Sequence, residues 1–143
     1  MRKKLIRILW SDPLPIDDAI ASPITLKCGL YYITRLWGSH ETSLYIGKAT
    51  RTIQERLIAH KHDWLYLYRG SLLVRVGQLI YPRNIDAAVI DHAESALIFE
   101  HGNILQENTD KRLSYSYTDL YQIENTGNIG QLHPIVDMYS HPD

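Results

Sequence analysis

Two short runs, Gly29-Leu30-Tyr31-Tyr32-Ile33-Thr34 and Ser43-Leu44-Tyr45-Ile46-Gly47, constrain this chain more than any other feature. Both are rich in β-branched and aromatic residues, which suit a pleated and half-buried surface, and the turn-like Gly38-Ser39-His40-Glu41 lies between them. They predict a β-hairpin. A third apolar run, Ser71 to Ile80, is flanked by Gly70 and Pro82 and reads as a third strand. The expected fold class is therefore α+β: one domain in which a three-stranded antiparallel sheet is flanked by helices.

The helices have their own signals. Thr52-Ile53-Gln54-Glu55 has the order of a capping box, a hydroxyl followed three residues later by a carboxylate, so a helix starts there. At about 100° per residue, Ile53, Leu57 and Trp64 share a stripe, and Arg56 and His60 lie together on its margin. A second helix runs from Asn84 to a stop at Gly102-Asn103 and is apolar nearly all round, which marks it as buried. Glu94 falls inside it, between Ile90 and Ile98, and a carboxylate in such surroundings needs a cation, a metal or a proton. Residues 1–28 carry an alternating stretch, Lys4 to Trp10, and then the prolines Pro13, Pro15 and Pro23, so they read as a lead-in. Residues 29–109 form the expected core. Residues 110–143 read as a packed C-terminal extension with one or two turns and little regular structure.

Composition excludes several classes. Within the 143 residues a single cysteine, Cys28, rules out an intrachain disulfide framework and a multi-cysteine zinc site, and fits a reducing, cytoplasmic setting. Core packing is the preferred reading of its thiol. No apolar stretch is long enough for a membrane-spanning helix, and Arg7 and Ser11-Asp12-Pro13 break up the N-terminal run that begins like a signal peptide. The net charge of -1 conceals an asymmetry: residues 1–83 carry +7 and residues 84–143 carry -8. That prompts a search for a polyanion partner on the first half, with a basic face expected across the site and an acidic back.

Gly29-Leu30-Tyr31 and Tyr45-Ile46-Gly47, with thirteen residues between the two tyrosines, resemble the paired motifs of the GIY-YIG nuclease superfamily. The similarity continues in order through Arg56, His60, Ala93-Glu94-Ser95-Ala96-Leu97-Ile98 and Asn108, and covers roughly residues 28 to 109. Leu30 stands where isoleucine is usual, the gap between the motifs is slightly long, and no proline precedes Asn108, which leaves Asn103 as its rival. The resemblance implies a metal-dependent endonuclease acting on DNA, or secondarily on structured RNA. It assigns Glu94 to a single Mg²⁺ or Mn²⁺, and Arg56 to the charge of the phosphate. Tyr31 becomes the general base or its relay, with Tyr45, His60 and Lys48 lowering the cost of its ionisation. Asn108 fixes the backbone or a metal-bound water.

Lys48 and Arg51 are candidate substrate contacts, and Trp37, near the hairpin tip, is a candidate for stacking on unpaired bases. One such site cuts one strand, so a double-strand cut requires a homodimer or a second encounter. His60-Lys61-His62-Asp63 is discounted as a metal cluster, because on a helix His60 and His62 face about 200° apart. Trp64 reads as core. The competing expectation is a catalytically silent module of the same fold that binds nucleic acid or protein.

Overall fold

A computed structural model describes residues 4–108 and 121–138. Strand β1 (Lys4–Trp10) leads through the two-residue β2 (Leu14–Pro15) and the short helix α1 (Ile16–Ala21) to the hairpin of β3 (Gly29–Trp37) and β4 (His40–Ala49). Helix α2 (Ile53–Asp63), strand β5 (Ser71–Tyr81), helix α3 (Ala87–Glu100) and strands β6 (Tyr121–Gly127) and β7 (Ile135–Asp137) follow.

The hairpin and the third strand lie where the sequence predicts them, but the sheet is not three-stranded. It is a mixed, seven-stranded sheet in the order β4-β3-β5-β1-β6-β7, with β2 paired to β5. Three further strands overturn the smaller sheet. β1 inserts beside β5, antiparallel to it, and runs parallel to β6 on its other side. β6 and β7 then extend the sheet, where the sequence suggested little regular structure. Residues 110–120 and 139–143 of the expected extension lie outside the described residues.

β1 earns its central place by strict alternation. Ile6, Ile8 and Trp10 are buried, whereas Lys4, Arg7 and Leu9 are not. Its partner groups are remote in sequence: the Trp10 indole donates to Asn125 Oδ1 at 2.9 Å. Gly77, opposite Trp10 in β5, leaves room for the indole, since a Cβ there would stand 2.7 Å from the ring.

Alternation in the sheet divides the core into two clusters. One gathers Tyr31, Ile33, Val74 and Val76 with Ile53 and Leu57 of α2 and Ala19 of α1. The other gathers Leu30, Tyr32, Ile6, Ile8 and Ile123 with Ile90, Ala93, Leu97 and Ile98 of α3. Helix α2 begins as the sequence predicts, with Thr52 Oγ1 accepting from the Glu55 amide at 3.3 Å. Asp86 caps α3 in the same way, accepting from Val89 at 2.9 Å. Among the described residues no helix is long and apolar enough to cross a membrane. Cys28, expected in the core, is exposed.

Candidate active site at the edge of the sheet

The edge strand β4, the start of α2 and the middle of α3 enclose a cavity of about 330 Å³, lined by Tyr45, Lys48, Arg51, Thr52, Glu55, Arg56 and Glu94 among others. Behind Tyr45 lies Tyr31, which is fully buried, its ring stacked on that of Tyr45 at 6.1 Å between centroids. The two come together because Tyr31 pairs with Gly47 across the hairpin and Tyr45 lies two residues before that glycine, on the same face. Gly47 is required there. A Cβ on it would stand 2.3 Å from both Cζ and Oη of Tyr31, so glycine alone lets the phenol pass over the neighbouring strand.

Helix α2 contributes Arg56 and His60, four residues apart, as their shared margin predicts. The neighbouring hydroxyls of Tyr31 and then Tyr45 raise the already high pKa of the Arg56 guanidinium, and no carboxylate among the described residues forms an ion pair with it. His60 Nε2 is 2.7 Å from Tyr31 Oη, and the Trp64 indole donates to His60 Nδ1 at 2.8 Å. Trp64 is thus more than core. The signal that finds it is its spacing, four residues after His60, at the end of the same helix.

Electrostatics revise one sequence expectation. Burial, with Arg56 beside it, pushes His60 down to about 4, while Asp63 opposes the shift weakly. The imidazole is neutral at pH 7 and supplies no positive charge to Tyr31. Lys48 reaches the cavity wall, but its ammonium is held by Asp91 of α3 at 2.5 Å. Arg56 is therefore the cation in contact with the tyrosines. Burial first, then repulsion from Tyr45, push the Tyr31 phenol above its ordinary value, against the opposing influence of Arg56.

Glu94 reaches the cavity from the buried helix α3 and is itself only 8% exposed. No group of three His, Cys, Asp or Glu side chains that could hold a metal exists among the described residues. A cavity whose acidic lining is Glu94 and Glu55 does not suit zinc, which wants several nitrogen or sulfur ligands. It does fit Mg²⁺ or Mn²⁺, hard cations that keep most of their waters and need one or two protein carboxylates.

Asn108 is buried, and its side-chain amide is fully used by the backbone of β4: Oδ1 accepts from Ile46 N and Nδ2 donates to Ile46 O, each at 2.9 Å. With the Glu107 amide donating to Leu44 O at 2.8 Å, this segment covers the free edge of β4. Asn103 is exposed and makes no such bond. Arg51 stands at the rim, highly exposed and 3.7 Å from Glu55. Trp37 lies outside the cavity, 53% exposed at the end of β3, with the Arg35 guanidinium 4.8 Å from its ring centroid and 5.7 Å from that of Tyr68.

The expected separation of charge is only partial. Arg7 pairs with Glu124 and Lys48 with Asp91, so bases of the first half meet acids of the second. Lys61 pairs with Asp17 and Arg75 with Glu41 within the first half.

No family model matches the chain, and no curated protein or solved structure matches it either.

Proposed function

We propose that the protein is a metal-dependent endonuclease that hydrolyses phosphodiester bonds, with DNA as its substrate and the cavity as its active site. One observation carries the reading: an arginine with no carboxylate partner among the described residues, a buried carboxylate and a stacked tyrosine pair meet at one opening. Phosphodiester hydrolysis asks for these groups, since charge grows on the phosphoryl oxygens and a water must lose a proton.

Arg56 would fork onto the phosphate, where its fixed planar donors match the oxygens. Glu94 would hold Mg²⁺ or Mn²⁺, which supplies charge neutralisation and an acidified water. Tyr45 is the phenol that lines the cavity, and Tyr31 stands behind it as base or relay, its anion stabilised by Arg56. Asn108 keeps β4 straight at the position that aims Tyr45. Lys48 acts through Asp91 as part of the wall, and Arg51 at the rim and Trp37 farther out would meet the strand.

The test is incubation of purified protein with plasmid, single-stranded and branched DNA in Mg²⁺ or Mn²⁺. Wild-type protein cuts and Glu94→Ala does not; equal cutting by both removes Glu94 from the site. A second reading, a module that binds nucleic acid without turnover, is favoured by the complete burial of Tyr31, which disfavours its anion. Binding that weakens steeply with salt but never leads to cleavage selects it.

A further inference from the structure

We propose that Trp64 is a positioning residue that fixes His60 as its Nε2–H tautomer, so that His60 donates a hydrogen bond to Tyr31 and cannot take its proton. An indole nitrogen can only donate. Trp64 Nε1 lies 2.8 Å from His60 Nδ1, so Nδ1 must offer its lone pair. A neutral imidazole carries one proton, which is then on Nε2, 2.7 Å from Tyr31 Oη. The opposite tautomer would set two N–H groups against each other in a half-buried place, and the doubly protonated ring would do the same. The low proton affinity of His60 agrees with this arrangement.

Trp64 is itself held. It caps the C-terminus of α2 with its backbone amide donating to His60 O at 3.0 Å, while its ring packs edge-on against Tyr68 and tilted against Tyr45. The titratable and charged groups around His60 are Tyr31, Tyr45, Arg56 and Asp63, and none of them offers Nδ1 an alternative donor in the described structure.

The polarity of the Tyr31–His60 bond stands on geometry; its catalytic consequence rests on the nuclease reading. Tyr31 Oη receives the His60 N–H and has the Arg56 guanidinium near it, so its own hydrogen points elsewhere. In a catalytic cycle that proton leaves on the side away from His60, and the remaining phenolate is held by the His60 donor and the Arg56 charge.

Nitrogen NMR of ¹⁵N-histidine-labelled protein near pH 7 reads the tautomer without any turnover. The wild type is expected to show His60 Nδ1 as the unprotonated nitrogen and Nε2 as the protonated one. Trp64→Phe keeps a ring in place but removes the donor; His60 should then populate both tautomers. Tyr31→Phe should leave the Nε2–H tautomer unchanged, because Trp64 alone sets it. A protonated Nδ1 in the wild type overturns the proposal, as does an unaltered tautomer in Trp64→Phe or a switched one in Tyr31→Phe. Absence of DNA cleavage by the wild type would defeat the nuclease reading and leave these results standing.

Discussion

Tyr31 and Tyr32 are neighbours in β3, both completely buried, and burial raises the phenol pKa of each, yet they belong to opposite kinds of polar network. On the face of Tyr32 the hydroxyl and the arginine are both matched within the fold. Its hydroxyl meets Ser43 Oγ at 2.5 Å, Ser43 reaches Gln131, and Arg75 lies over the ring while its guanidinium holds Glu41 at 2.6 Å. On the face of Tyr31 the arginine, Arg56, faces two phenols rather than a carboxylate and opens on a cavity. The buried Arg75, neutralised by its own acid, is committed to the fold; Arg56, exposed and facing phenols at an opening, retains capacity for an anion from outside. The difference separates scaffold from site on two sides of one strand.

Substituting the two arginines is the strongest way to break that comparison. Arg75→Met strands Glu41, whose carboxyl is held below its usual range first by the Arg75 hydrogen bond, and should cost about 3–5 kcal/mol in urea unfolding, toward the lower end because Glu41 keeps some solvent. Arg56→Met should leave the unfolding midpoint nearly unchanged and lower cleavage on the order of 10²–10³-fold, the usual effect of removing one donor from a developing oxyanion. Equal stability losses at both positions would erase the distinction between the networks.

His60 sharpens the same contrast through pH. Its pKa is depressed in the folded state, so the unfolded chain binds its proton first as pH falls. Its contribution to stability is whole above about pH 6.5 and is lost as pH falls from there to about 4, amounting to roughly 3 kcal/mol by linkage. His60→Gln should flatten the stability profile across that window, measured by denaturant titration at several pH values. His101, buried and likewise lowered, retains its own contribution in both proteins. A profile as steep in His60→Gln as in the wild type would mean that His60 is not held neutral.

Much of the site was legible in sequence because its signals are local. The Thr52 cap, the four-residue step from Arg56 to His60 and the Glu94 carboxylate in an apolar helix each follow from a short window. The sheet was not legible in the same way. The alternation of Lys4 to Trp10 announces a strand, but its neighbour β6 lies more than a hundred residues on, and no short window states which strands pair. Asp91 was missed for the same reason: nothing near Lys48 in sequence says that α3 will bring a carboxylate to it. Trp64 packs on the core as its stripe predicts, but an apolar stripe on a helix accounts for a tryptophan before its single polar atom is considered.

Gly47 provides the finest test, because it bears on why Tyr31 can face the site at all. Tyr32 stands opposite Ile46 across the hairpin, with an ordinary side chain as its partner, whereas Tyr31 stands opposite a glycine. Gly47→Ala would press a methyl group into Tyr31 Cζ and Oη, and neither ring nor strand has free space to move, since Tyr31 is fully buried. Such overpacking should cost about 1–3 kcal/mol of stability. Removing the hydroxyl takes away one of the two closest atoms, so Gly47→Ala should cost less when Tyr31→Phe is already present. A double-mutant cycle on unfolding free energy measures that coupling directly. Strict additivity would show that the strain is relieved elsewhere, and that the glycine does not determine where the Tyr31 hydroxyl lies.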